Sequence, residues 1–261
     1  MIFRKKVIAA MEEQIAGLAE MLVNANYVLA FTGAGISTES GIPDFRSPGS
    51  GLWEKIDPEL LSARTLRTDP ALFYRYYRAM DEMLAGKEAN AGHRALAELS
   101  RLGVVRAVVT QNIDGLHQQA GSRRVLEVHG NLAACRCLAC KEEYPYGLLR
   151  EQLAAGGAVP LSPCCRAVLR PSVVLFGDRL TADFATAQEE AFRSDFALVV
   201  GTSLTVYPAA EIPLTVGRFA IINREPTAYD HEAVLRISGP IGETLMALAA
   251  EVARHRKGGR E

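Results

Sequence analysis

Tyr27-Val28-Leu29-Ala30-Phe31-Thr32, an unbroken apolar run, leads into Gly33-Ala34-Gly35-Ile36-Ser37-Thr38-Glu39-Ser40-Gly41-Ile42-Pro43-Asp44-Phe45-Arg46. A buried strand that ends in Gly-x-Gly is where an α/β protein places phosphate, because glycine lets backbone N–H groups come close to the oxygens. The same pattern also makes plain tight turns. The usual dinucleotide fingerprint then breaks, since its third glycine falls due at position 38, which is Thr38. The Pro-Asp-Phe-Arg extension exceeds what phosphate binding needs, so the loop reads as one that reaches along a dinucleotide towards its reactive end. Ser37 or Thr38 is placed to cap a helix that follows. Pro43 stiffens the segment that presents Phe45 and Arg46.

Working outward, further apolar runs also end in polar loops. Residues 104–110 run into Gln111-Asn112-Ile113-Asp114-Gly115-Leu116-His117, and 125–128 into His129-Gly130. Residues 173–176 lead to Gly177-Asp178, 196–200 to Gly201-Thr202-Ser203, and 219–222 to Asn223-Arg224-Glu225. Helical spacing over 8–25 (Ile8, Met11, Ile15, Leu18, Leu22), 93–102 and 181–193 alternates with these runs. The alternation predicts an α/β fold, a Rossmann-like doubly wound parallel sheet whose strand ends share one ligand-binding rim. Residues 47–92 and 131–170 break the alternation and predict a smaller inserted lobe, a helical module plus a cysteine module. The dinucleotide-binding domain is then 1–46, 93–130 and 171–261.

The formal charge of −1, from 29 basic and 30 acidic residues, predicts no direct nucleic-acid partner and no attraction to an anionic membrane. Glu12 and Glu13 interrupt the basic N-terminus before a signal-type apolar core, and no uncharged run reaches spanning length, so a soluble, cytoplasmic protein is expected. All five cysteines lie between 135 and 165, which favours a metal site over a disulfide framework.

Among five histidines, His129 sits where a short strand ends, and imidazole titrates near neutrality as a general base must. His117 follows Asn112 and Asp114 on the next turn, whereas His93, His231 and His255 have no partner in the sequence. Gln111, Asn112 and Asp114 supply amides and a carboxylate suited to ribose hydroxyls and a carboxamide, although Asn112 and Asp114 also suit a capped Asx turn.

Taken in order, Gly33-Ala34-Gly35-Ile36-Ser37, Gly41-Ile42-Pro43-Asp44-Phe45-Arg46, Thr110-Gln111-Asn112-Ile113-Asp114, His129-Gly130-Asn131, Leu169-Arg170-Pro171, Phe176-Gly177 and Gly201-Thr202-Ser203-Leu204 resemble the sirtuin family of NAD-dependent protein deacylases, of prokaryotic type. The resemblance runs from about residue 10 to about residue 245. It implies that NAD is a co-substrate held by Gly33, Ala34, Gly35, Thr38, Asp44, Phe45, Arg46, Gln111, Asn112, Ile113, Asp114, His129, Gly201, Thr202 and Ser203. It further places Asn223 and Glu225 on the adenosine ribose and Ile241 near the adenine. His129, Asn112 and Asp114 become the catalytic residues, with Val174, Leu175, Phe176 and Gly177 around an acyl-lysine protein or peptide substrate. The implied reaction moves the acyl group from lysine to ADP-ribose with release of nicotinamide.

Members that remove acidic acyl groups carry a Tyr-x-x-Arg pair. Aligned on residues 69–72, this chain offers Tyr77 but has Met80 where the arginine belongs, so an apolar, acetyl-type preference is expected. Protein ADP-ribosylation is the alternative enzyme activity. A NAD-sensing module without turnover is disfavoured by the intact His129, Asn112 and Asp114, and a hydride-transferring dehydrogenase by the missing third glycine.

The resemblance also implies a structural zinc on two Cys-x-x-Cys pairs. Cys137 and Cys140 make the first pair, and Cys165 falls at the fourth position, but Ser162 stands at the third. Three readings stay open at this point: zinc completed by Cys164, zinc completed by Cys135, or a weak or absent metal.

Overall fold

The computed structural model describes residues 2–44, 51 and 56–258, apart from the side chains of residues 2–8 and 258. Its main sheet holds β1 (Val28–Thr32), β2 (Val105–Thr110), β3 (Val125–Glu127), β7 (Phe196–Val200), β8 (Phe219–Ile222) and β9 (Leu235–Ile237) in the order β3-β2-β1-β7-β8-β9. Every neighbouring pair is parallel. β1, β7 and β8 are buried along their whole length, which is why they read as continuous apolar runs rather than alternating ones.

Helices cover both faces. On one, Leu18 and Leu22 of α1 (Ile2–Asn24), Leu96 and Leu99 of α4 (Ala91–Arg101) and Leu245, Leu248 and Val252 of α9 (Ile241–Gly258) pack with Val28, Ala30 and Leu198. On the other, Ala187 and Ala191 of α7 (Ala182–Arg193) and Ile212 of the short α8 (Glu211–Thr215) meet Leu29, Phe31, Val109 and Val199. Asn90 starts α4 by accepting from the amides of Gly92 and His93, while the His93 ring accepts the Asn90 amide in return. Burial of each large aliphatic side chain contributes about 1.5–3 kcal/mol before conformational entropy is charged against it. The wide two-sided core thus fixes the sheet that carries the loops.

The smaller lobe is a three-stranded sheet, β5-β4-β6, built from β4 (Gly130–Cys137), β5 (Glu143–Pro145) and β6 (Leu169–Val173). Its partners are α2 (Ala63–Thr68), α3 (Pro70–Leu84) and α6 (Tyr146–Ala154). Asp69 caps α3, and Phe73, Tyr74, Tyr77 and Met80 enter one core with Cys135, Tyr146, Leu149 and Leu175. Residues 47–92 and 131–170 thus share a single core where both are described.

One strand lies elsewhere than expected. The apolar run 173–176 is not a strand of the parallel sheet; the strand is Leu169–Val173, antiparallel to β4. Pro171 is accommodated because β6 is an edge strand, where a missing N–H is tolerated. β4, whose Cys135-Arg136-Cys137 reads as metal-loop sequence, and the three-residue β9 were not foreseen. Among the described residues, no helix is long and apolar enough to cross a membrane.

Candidate active site

The chain reverses direction across the sheet between β1 and β7, and this switch point opens a crevice at the strand ends. The glycines there hold two loops together. The Gly33 amide donates to the Val200 carbonyl (3.2 Å) and the Gly35 amide to the Gly201 carbonyl (2.8 Å), so both are spent on joining the loops after β1 and β7. A Cβ on Gly35 would lie 2.8 Å from the Gly201 oxygen, and one on Gly201, at φ +61°, would lie 2.4 Å from the Ile36 nitrogen. Glycine is required because the two loops touch backbone to backbone. The segment Ala34–Ser40 is a 3-10 helix that already contains Ser37 and Thr38, so neither caps it. Thr38 Oγ1 donates to the Gly35 carbonyl instead.

Ser37 is the hub of a buried network. Its hydroxyl donates to Asp114 Oδ2 (2.7 Å) and accepts from Asn112 Nδ2 (3.1 Å), and Asn112 Nδ2 also donates to the Gly33 carbonyl (3.1 Å). Asp114 Oδ1 accepts from the Leu116 amide at the start of α5 (Leu116–Gln119). His93 lies 3.4 Å from Ser37 Oγ through Nε2. Its Nδ1 accepts the Asn90 amide, so the ring is the Nε2–H tautomer and donates to Ser37. Thr32 Oγ1 donates to Thr110 Oγ1 (2.9 Å) and receives His117 Nε2–H (2.9 Å), while Thr110 Oγ1 also accepts the Asn112 amide (3.1 Å). The His93 and His117 rings meet edge to face at 4.9 Å. Burial pushes His93 down to about 4 and His117 down to about 3, so both are neutral near pH 7. Sequence reading missed His93 and His117 as supports for Asn112 and Asp114. The offset from Asn90 to His93, a capping-box spacing, was the available signal for His93.

His129 lies at the end of β3, half-buried. Its Nδ1 is 3.0 Å from the Gln111 carbonyl, which can only accept, so Nδ1 carries the proton and Nε2 keeps its lone pair. Burial lowers its pKa below the usual imidazole value, partly opposed by that carbonyl. The His129 carbonyl accepts from the Val174 amide (2.8 Å), which ties the histidine to the segment expected to hold substrate. Within that segment Leu175 turns into the small-lobe core, Val174 is half-buried, and Phe176 and Gly177 are exposed. Gly130, at φ +76°, passes so close to β6 that a Cβ would lie 2.3 Å from the Ser172 oxygen.

Gln111 Nε2 donates to Thr202 Oγ1 (3.0 Å), bridging the ends of β2 and β7. Ser203 pairs with Thr205 (2.8 Å), and Leu204 holds a left-handed φ of 56° with its amide on Thr202 Oγ1. Ile113 packs half-buried against the small-lobe core. Asn223 is buried beyond β8, its Nδ2 on the Glu225 carbonyl (2.7 Å), with Glu225 exposed. Ile241 is buried in the main core where α9 begins. Ala34 and Asp44 are half-buried, while Phe45 and Arg46 lie outside the described residues.

In the small lobe, the sulfur atoms of Cys137, Cys140, Cys164 and Cys165 all lie within 4.8 Å of one another. Cys137 and Cys165 approach to 3.4 Å, and Cys140 and Cys164 to 3.1 Å. Four thiolates at about 2.3 Å from a zinc stand about 3.8 Å apart in a tetrahedron, so the donor set and its spacing fit zinc. Cys135 is excluded as a ligand: it is buried on β4 with Sγ on the Pro145 carbonyl (3.6 Å). Ser162, at the expected ligand position, presents its hydroxyl to Cys164 (3.5 Å) and Cys165 (3.6 Å). Cys164 and Cys165 lie in the hairpin bridged at Leu161 and Val168, exposed but with their sulfurs in this cluster. Cys164→Ser will therefore lower zinc content below half of the wild-type value in metal analysis while Cys135→Ser leaves it unchanged. Equal zinc in both variants would remove this ligand set.

A crevice at the switch point of a doubly wound sheet, with a neutral histidine at its mouth, defines a dinucleotide-binding α/β protein. Residues 33–208 match the model of the Sir2 family. An NAD-dependent protein deacetylase of Caldivirga maquilingensis is 48% identical over 238 residues, covering 90% of this chain and 92% of that protein. A solved structure described as the structural basis for the mechanism and regulation of Sir2 enzymes superposes with a TM-score of 0.87 at 43% identity, covering 94% of this chain and 100% of the other. Another, a Sir2 complex with p53 peptide and NAD+, gives 0.81 at 34% identity, covering 94% and 98%. The chain belongs to the Sir2 family, which includes the sirtuins it resembles.

Proposed function

We propose that this protein is an NAD-dependent protein-lysine deacetylase that transfers the acyl group of an acyl-lysine to ADP-ribose and releases nicotinamide. The observation that carries the reading is His129, a neutral histidine with a free Nε2 at the mouth of the crevice and hydrogen-bonded through its own backbone to residue 174. NAD supplies the glycosidic bond that breaks and the ribose that accepts the acyl group. Asn112 and Asp114, locked by Ser37, present an amide and a carboxylate to the ribose and carboxamide end, with Gln111 and Ile113 beside them. Gly33, Ala34, Gly35, Thr38, Asp44, Phe45 and Arg46, together with Gly201, Thr202 and Ser203, are assigned to the cofactor, and Asn223, Glu225 and Ile241 to its adenosine end. Val174, Phe176 and Gly177 border the acyl-lysine, and Leu175 anchors them from below. The zinc supplies a structural cross-link for the small lobe through Cys137, Cys140, Cys164 and Cys165.

Incubation with NAD and an acetyl-lysine peptide tests this directly. Free nicotinamide and deacetylated peptide are expected in equal amounts. Nicotinamide release with label retained on protein would instead establish ADP-ribosylation.

Acetyl-type selectivity follows from the small lobe. Tyr77 is buried with its hydroxyl on Tyr146 (2.8 Å), and Met80 lies in the same core, so this pair offers no fork to a distal carboxylate. Acetyl-peptide turnover is expected to exceed succinyl-peptide turnover at least tenfold. Comparable kcat/KM for both would overturn the selectivity.

A further inference from the structure

We propose that the small lobe carries a second binding site, for a compact phosphate-bearing anion, in a cavity of about 360 Å³ between α2 and the β4–β6 ladder. Four cations line it: Arg67 from α2, Arg136 from β4, Lys141 from the Cys137–Cys140 turn, and Arg170 from β6. Ala63, Leu66 and Leu138 complete the lining.

The placing of these charges is the argument. Arg136 and Arg170 are directly opposed residues of antiparallel strands, and like charges in that position repel. The fold partly relieves this through Arg170, which donates to Asp178 Oδ2 (2.6 Å) and to the Val173 carbonyl (3.0 Å). Lys141 spends its ammonium on the Leu138 carbonyl. Among the described residues Arg67 and Arg136 form no ion pair; Glu143 stands directly across β4 from Arg136 and Asp178 pairs with Arg170, so the four cations lining the pocket outnumber the carboxylates beside them, on a chain of net charge −1. Guanidinium forks match phosphate oxygens bidentately, which favours phosphate over a single carboxylate. The volume lies within the range of small-molecule pockets and admits more than one phosphate group.

The site has a route to the cleft. Asp178 Oδ2 also accepts the Leu175 amide (3.0 Å), and the Ala63 amide, at the start of α2, donates to the Phe176 carbonyl (3.0 Å). An anion that draws Arg170 from Asp178 loosens residues 174–177, which makes the pocket an effector site. Binding to the pocket is independent of the deacetylase reading; only its effect on peptide KM rests on that reading.

Inorganic pyrophosphate is the probe, titrated calorimetrically into the full chain at fixed ionic strength, with and without saturating NAD. One saturable site that persists under NAD is expected, at least tenfold weaker in Arg67→Gln/Arg136→Gln and measurably weaker in Arg67→Gln alone, whose exposed helical position keeps folding intact. Absence of saturable binding, wild-type binding by the folded variants, or full displacement by NAD overturns the site. Tighter binding of citrate than of pyrophosphate overturns the phosphate assignment. At saturating NAD, pyrophosphate is expected to raise the peptide KM at least twofold in wild type and not in Arg67→Gln; an unchanged wild-type KM overturns the coupling.

Discussion

His129→Ala will lower deacetylation by about a hundred- to ten-thousandfold, the usual worth of a positioned general base, with circular dichroism and thermal stability close to wild type. The fold is expected to survive because His129 is half-buried and, among the described residues, makes one side-chain hydrogen bond, to the Gln111 carbonyl. That bond fixes the proton on Nδ1 and leaves Nε2 as the proton acceptor. Burial lowers the pKa, and a base acts in its deprotonated form, so the acid limb of kcat/KM is expected below the ordinary value of about 6.5. Weakening the Gln111 contact removes the effect that opposes this lowering and shifts the limb further down. An acid limb above 7, or wild-type nicotinamide release by His129→Ala, would remove His129 from the base role.

Much of this site was legible because its residues stand at strand ends, and strand ends are marked by the change from apolar run to polar loop. Residues 28–32, 105–110 and 196–200 each declare themselves in that way, and the loops behind them meet at the crevice. What was not legible is the partnership of those loops. Gly35 and Gly201 are 166 positions apart in sequence, and only the parallel pairing of β1 with β7 makes them neighbours. The glycines were therefore recognised for phosphate approach, whereas their packing requirement comes from one another. His93 was similarly obscured: the capping-box offset marks its link to Asn90, but its partner Ser37 lies on a different element. The cysteines show the converse. Spacing pointed to Ser162 as a defect in the zinc site, but the hairpin bridged at Leu161 and Val168 brings the Cys164 sulfur within 4.8 Å of those of Cys137, Cys140 and Cys165. Backbone conformation of that kind is not encoded in the count between cysteines.

The protein is expected to lose stability steeply below about pH 6.5, and His117 and His93 are the reason. Both are buried neutral, with pKa values pushed down to about 3 and about 4 chiefly by loss of hydration, while in the unfolded chain each titrates near its ordinary value of about 6.5. Between those values the unfolded state binds protons that the native state refuses, so unfolding free energy falls as pH falls, by up to about 1.4 kcal/mol per pH unit for each histidine. The loss starts at the unfolded pKa and ends at the folded one. Asp114 and Glu39 favour a charged His93, and Arg94 opposes it, so His93 stops contributing at a higher pH than His117, which faces only the cationic form of His93. His117→Gln keeps a donor for Thr32 Oγ1 and removes one titration. Denaturant unfolding measured from pH 7 to pH 4 is then expected to show a slope shallower than wild type by up to one proton. Parallel slopes for the two proteins would mean that His117 accepts a proton without unfolding, and the charge-neutral floor beneath Asn112 and Asp114 would have to be abandoned.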